Sequence, residues 1–245
     1  MTVPHSAPWQ AWPLLRSDAR RGEVEAIHQL RVATRRLRSA REAGGIAAPR
    51  SLRRLGRRLG EVRIWDIRRQ LLVDLASGPE PVDADLLARL LERIDRKRAR
   101  RLAALRPRLR GRGLAPCSPP PEPGAEAAIE ALDAQAGGWE DPALLHALRL
   151  ALKELRYALE WLEPESPILD PLRAALTALG DHRDWLQLQA FVEAQGSRWA
   201  HRGRAGLADA TGLLADLVAR HRAAAFDAAT ASCKQLRERL PAMLL

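Results

Sequence analysis

Apolar residues recur at steps of three and four along most of the chain, the spacing that lines one side of an α-helix. From about Val24 to Ala43 the apolar side is Leu30, Ala33, Leu37 and Ala40, and Gly44-Gly45 stops the pattern. Pro49 and Ser51 open the next helix, with Leu52, Leu55, Leu59 and Val62 inward, and it continues through residues 59–65 to about Ala76. After the break at Ser77-Gly78-Pro79, Leu87, Leu90, Leu91, Ile94 and Leu105 mark a helix over about 83–106. Further on, Asp141 before Pro142 is the expected start of a helix that ends near Pro164. Leu172, Leu176 and Leu179 follow, and a last helix covers roughly 205–240. Near the beginning, Ser17 or Asp18 is the expected cap of a short helix, with Gly22 as its interruption. Alternating β-branched runs are missing, and with Trp 7, Tyr 1 and Phe 2 the core must be mostly Leu and Ala. Both features favour helices, so the expected fold class is all-α.

The polar positions carry a second pattern. His28, Arg31, Arg35 and Arg38 are spaced by three, four and three, which places them within roughly 80° of one helix side, opposite the apolar residues. One such stripe is ordinary for a solvated helix. Here it occurs twice, because His146, Arg149, Lys153 and Arg156 repeat it at an offset of 118. Both copies fit His-x-Leu-Arg-x-Ala-x-[Arg/Lys]-x-Leu-Arg-x-Ala-x-Glu, closing on Glu42 and Glu160. Each Glu stands four residues after the last arginine, where an intrahelical ion pair is worth about 0.3–0.5 kcal/mol. A second paired segment, Leu59-Gly60-Glu61-Val62-Arg63-Ile64-Trp65 and Leu179-Gly180-Asp181-His182-Arg183-Asp184-Trp185, follows in the same order.

The repeat divides the chain into an N-terminal arm (1–13), a first helical repeat (14–114), a stiff Pro-rich linker (115–124) and a second helical repeat (125–245). Charge is uneven between the halves. Residues 1–114 carry 27 Arg/Lys against 12 Asp/Glu, and residues 115–245 carry 13 against 18, for a total of +10. A surplus of this kind points to a polyanionic partner. Only Lys97, Lys153 and Lys234 are lysines. A compositional bias would explain arginine over lysine but not cations sharing one side in two copies. Cys117 and Cys233 are too few for a disulfide scaffold, which points to a reducing, cytoplasmic setting. No apolar run approaches the length that spans a membrane, and residues 1–15, broken by Pro4, Pro8 and Pro13, do not read as a signal peptide.

The two stripes, with Val32 and Arg36 between the cations of the first, and the paired Leu-Gly-x-x-Arg segments resemble the CHAD family, the conserved histidine α-helical domain. The resemblance spans the chain from about Leu14 to the last helix. It implies two pseudo-symmetric four-helix bundles, a basic channel or cleft between them, binding of inorganic polyphosphate without catalysis, and association with cytoplasmic polyphosphate granules. The sequence departs from the family where Arg63 is followed by Ile64 rather than Asp; Arg183-Asp184 fits. The acidic second half also makes the basic lining less even than the family implies.

Polyphosphate offers a line of charged oxygens and no bases. Guanidinium groups match such oxygens in pairs, and one group per helical turn follows a linear polyanion. The expected binding residues are His28, Arg31, Arg35, Arg36 and Arg38 on one stripe and His146, Arg149, Lys153, Arg156 and Tyr157 on the other. Arg57, Arg63, Arg93, Arg96, Arg100 and Arg183 complete the set. The histidines fit two roles equally, as cations raised by a neighbouring phosphate or as packing residues bonded to a carbonyl. Tyr157 and Trp161 fit core packing first and ligand contact second. Trp65 and Trp185 read as packing residues. No catalytic residue, metal site or cofactor is expected, since each stripe surrounds one His with cations that repel a divalent ion. Nucleic acid is the second choice of partner, disfavoured because few aromatics are interleaved with the arginines. A phosphoanhydride-processing enzyme comes third, since neither a Gly-rich Lys-Ser/Thr loop nor a Glu-x-Glu-x-Lys pattern occurs: Glu23-Val24-Glu25 runs on into Ala26-Ile27.

Overall fold

The computed structural model describes residues 12–43, 47–110, 126–134, 142–163 and 165–240. All regular structure among them is helical: α1 (Trp12–Arg21), α2 (Val24–Ala43), α3 (Arg50–Ala76), α4 (Ala84–Leu105), a 3-10 turn (Arg106–Arg110), α5 (Glu126–Ala134), α6 (Pro142–Leu162), α7 (Leu169–Ala200) and α8 (Ala205–Arg239). No helix among the described residues is long and apolar enough to cross a membrane. The Pro-rich linker at 115–124, the cap expected at Asp141 and most of the arm lie outside the described residues.

Helix α1 starts earlier than the sequence pattern indicates. Trp12 is buried in the core, and a proline in a first turn gives up an N–H that has no helical acceptor there. Ser17 and Asp18 therefore lie inside α1 instead of capping a helix, and both accept from Arg21. Gly22 ends α1 with φ 101°. Its N–H reaches Ala19 O at 3.2 Å and the Glu23 N–H reaches Asp18 O at 3.1 Å, a left-handed stop that a side chain would strain. Helix α4 opens where the pattern places it, with Asp83 Oδ1 accepting from Leu86 N at 2.7 Å.

The chain forms two compact units. The first takes the described residues up to Arg63, those from Arg101 to Thr177 and those from Thr230 onward. Its core includes Trp12, Ile27, Leu30, Leu37, Leu52, Leu59 and Leu105. Within it α2 packs closely on α3. A Cβ at Gly56 would stand 3.1 Å from Thr34 Cγ2, and one at Gly60 would stand 3.4 Å from Arg31 Nε. Glycines inside a helix cost about 1 kcal/mol each relative to Ala. The close approach of α2 explains their presence here.

The second unit takes Ile64–Arg100 and Ala178–Ala229. Segments of α3, α4, α7 and α8 share its core, which includes Leu72, Leu90, Ile94, Leu188, Val192 and Val218. Trp65 meets Phe191 edge to face at 5.7 Å, and Trp185 stacks on His221 at 4.8 Å. Both repeated tryptophans thus pack, as their place in the repeat indicates. Asp66 is buried and pairs with Arg98. Each unit draws helices from both halves of the sequence. Local periodicity specifies which residues face inward but not which distant helix they meet.

Candidate functional site

The two cationic stripes come together within the first unit, where α6 packs against α2. Leu30 and Leu37 of α2, and Leu148, Leu152 and Leu155 of α6, are buried. Anchoring the apolar sides fixes the azimuth of both stripes. Arg31, Arg35, Arg36, Arg38, Arg149 and Arg156 are half-buried, and the Nε atoms of Arg36, Arg38, Arg149 and Arg156 are shut off from solvent. Lys153 departs from the pattern of an exposed stripe, being only 9 % exposed.

Two residues of α6 join the stripes. Glu160, with its side chain 7 % exposed, accepts from Arg36 Nη2 of α2 at 2.9 Å. Arg156 Nε stands 3.9 Å from the same carboxylate, and Arg173 Nε of α7 stands 3.5 Å from it. The sequence pattern indicates the Arg156 pair. It gives no sign of Arg36 or Arg173 as partners of Glu160. One carboxylate serving three guanidinium groups orients them without neutralising them all. Arg36 Nε is buried with no acceptor among the described residues. The Glu42 side chain lies outside what the structure describes, as does that of Trp161.

Tyr157 is the second link. Its ring is buried, with the Arg35 guanidinium 5.7 Å and the Arg156 guanidinium 4.6 Å from its centroid.

His28, Arg31 and Arg63 form the other end of the group on α2 and α3. Burial first, and then the charge of Arg63, pushes the His28 pKa below its ordinary value; Glu25 opposes this and Arg31 adds to it. Neutral imidazole is therefore favoured at neutral pH in the free protein. Gly60 lets Arg31 pass against α3, which gives the Leu-Gly segment a role in placing a stripe cation. His146 is exposed on α6. Arg57 is exposed on α3 and makes no ion pair or hydrogen bond among the described residues. Arg93, Arg96, Arg100 and Arg183 belong to the second unit and not to the unit that carries the stripes.

The chain is thus an all-α domain that sets paired cationic stripes on adjoining helices. The family model of the CHAD domain matches residues 6–116 and 124–193, and the chain belongs to that family. Among solved structures it is similar to the CHAD domain from the plant Ricinus communis, with 21% identity and a TM-score of 0.60 over 93% of this chain and 87% of that one. That likeness concerns the fold. Comparison with curated proteins gives no match.

Proposed function

We propose that the chain binds inorganic polyphosphate without turning it over, through the α2 and α6 stripes acting as one site, and that it does so at polyphosphate granules in the cytoplasm. The observation that carries this reading is the junction at Tyr157 and Glu160, which brings cations from two distant segments to one place. Membership of the CHAD family, which is associated with polyphosphate binding, supports the ligand class. Charge-assisted contacts to phosphate oxygens are worth about 1.5–3 kcal/mol each before desolvation and ordering costs, and they do not add simply.

The site favours a phosphate chain over nucleic acid. Tyr157 is buried between two guanidinium groups, so its ring is not offered to a base. The carboxylate at the centre, Glu160, is engaged by Arg36, Arg156 and Arg173, which makes it a poor metal ligand and a poor base. The deciding experiment is a binding titration with long-chain polyphosphate, orthophosphate and single-stranded DNA at several salt concentrations. Long polyphosphate should bind far more tightly than orthophosphate, with steep salt dependence by analogy with counterion release. Equal affinity for DNA of matched charge would reduce the site to a generic basic surface. Release of phosphate from polyphosphate with Mg²⁺ or Mn²⁺ above a buffer control, abolished by Glu160→Gln, would overturn the non-catalytic part.

A further inference from the structure

The two oxygens of Glu160 are unevenly shared. Oε2 accepts the hydrogen bond from Arg36 Nη2 at 2.9 Å. Oε1 faces two guanidinium groups, Arg173 Nε at 3.5 Å and Arg156 Nε at 3.9 Å. Arg173 is the nearer, although it comes from another helix. Arg156 stands four residues before Glu160 on the same helix, a spacing at which an ion pair is within reach. Yet Arg156 Nε is buried and has no hydrogen-bond partner among the described residues. The Arg156 guanidinium lies instead against Tyr157, 4.6 Å from the ring centroid, on the ring that Arg35 also approaches.

The start of α7 holds Arg173 in place. Asp170 stands in the first turn, at the positive end of the helix dipole, and Pro171 beside it is tolerated there. Arg173 Nη1 donates to Asp170 Oδ1 at 3.0 Å, while its Nε faces Glu160. The guanidinium thus spans two carboxylates, one exposed and one buried, and both engaged nitrogens face the protein's own acids.

We propose that Arg173 is a positioning residue: by holding Glu160 Oε1 it keeps the Arg156 guanidinium on Tyr157, beside Arg35, and stops it folding back onto the carboxylate of its own helix. Without Arg173, Oε1 is left to Arg156 alone. Glu160 is nearly buried, so an oxygen stripped of its cation is costly and draws the nearest one in. Loss of a cation outside the stripes therefore removes one from within them. The consequence for ligand binding rests on the stripe reading; the arrangement of the side chains does not.

Tyr157 is the single tyrosine of the chain, so ring-¹³C tyrosine labelling of the full chain reports the Arg156 contact without competing signals. Arg173→Gln should shift the Tyr157 ring resonances with no ligand present. It should also weaken binding of long-chain polyphosphate about fivefold or more, with helicity by circular dichroism unchanged. Arg173→Lys keeps a cation beside Oε1 and should restore the ring signal and most of the affinity. In a Glu160→Gln background the charge that draws Arg156 is gone, so Arg173→Gln should there move neither the ring signal nor the affinity further. Tyr157 resonances that ignore Arg173→Gln would overturn the proposal. So would the same loss of affinity in the parent and Glu160→Gln backgrounds, the mark of a direct ligand contact. A parent chain that binds no polyphosphate would sink the stripe reading, and the ring resonances alone would then decide this proposal.

Discussion

Arg36 of α2 donates Nη2 to Oε2 of Glu160 on α6 at 2.9 Å, across 124 positions of sequence. This bond ties the first stripe to the second, and the same carboxylate also faces Arg156 and Arg173. Glu160→Gln keeps the shape of the side chain and removes its charge. Three guanidinium groups then lose their shared counter-charge, at a cost of about 1–3 kcal/mol in stability. Urea denaturation followed by circular dichroism reads this directly. An unchanged midpoint would mean that the carboxylate orients nothing.

Tyr157 sets up a comparison of two variants. Tyr157→Phe keeps the ring beneath Arg35 and Arg156, whereas Tyr157→Leu removes it. Each guanidinium–ring contact is worth about 0.5–1 kcal/mol where solvent reaches it. Polyphosphate affinity should therefore survive the first change and fall several-fold with the second. Equal losses in both would assign the effect to the hydroxyl, the role of a direct phosphate ligand.

If His28 meets the ligand, binding should be sensitive to pH. Its pKa is lowered in the folded chain, by burial first and by Arg63 next. As pH falls, the unfolded chain therefore takes up the proton before the folded one does. The contribution of neutral His28 to stability is intact above the ordinary imidazole value of 6.5 and is lost as pH falls through it towards the lower folded value. A polyphosphate oxygen beside the ring acts in the opposite direction and raises the pKa. Binding a little below that ordinary value should then draw in protons. Calorimetric titration in buffers of different ionisation enthalpy measures the uptake, and His28→Asn should diminish it. Identical heats in all buffers would place His28 away from the ligand.

The helical pattern was legible in the sequence because the inward residues of each helix recur at a fixed step. Leu30, Ala33 and Leu37 are buried where the period puts them. Trp12 was hidden because the prolines around it argue against a helix, while a first turn tolerates one. Register in the stripes was legible too, since repetition at one offset fixes which cations share a side. Depth was not: Lys153 stands at a stripe position and is nevertheless buried, and helix periodicity says nothing of how deep a residue lies in the packed unit. Arg173 was illegible for a related reason: what it meets is a carboxylate on another helix, Glu160.

Burial of Lys153 also decides how to test whether the two stripes act together. Lys153→Ala would empty a packed position and lower stability for reasons unrelated to charge. Lys153→Met keeps an unbranched apolar stem and removes the ammonium, so it isolates the electrostatic part. Arg35→Gln does the same on the half-buried opposite stripe. Each variant should bind long polyphosphate more weakly, with the melting temperature of Arg35→Gln nearly unchanged. Contacts that share one ligand couple, so the double variant should depart from the sum of the single losses by about 0.5 kcal/mol or more. Leu37→Ala serves as the contrast. It opens a cavity at a residue 3 % exposed and should cost about 2–5 kcal/mol in stability, whatever it does to binding. Additive losses from Arg35→Gln and Lys153→Met would mean two independent anion contacts on one unit. A Lys153→Met chain that binds as tightly as the parent, beside an Arg35→Gln chain that does not bind, would confine the site to α2 and its neighbours, and the joint stripe would have to be given up.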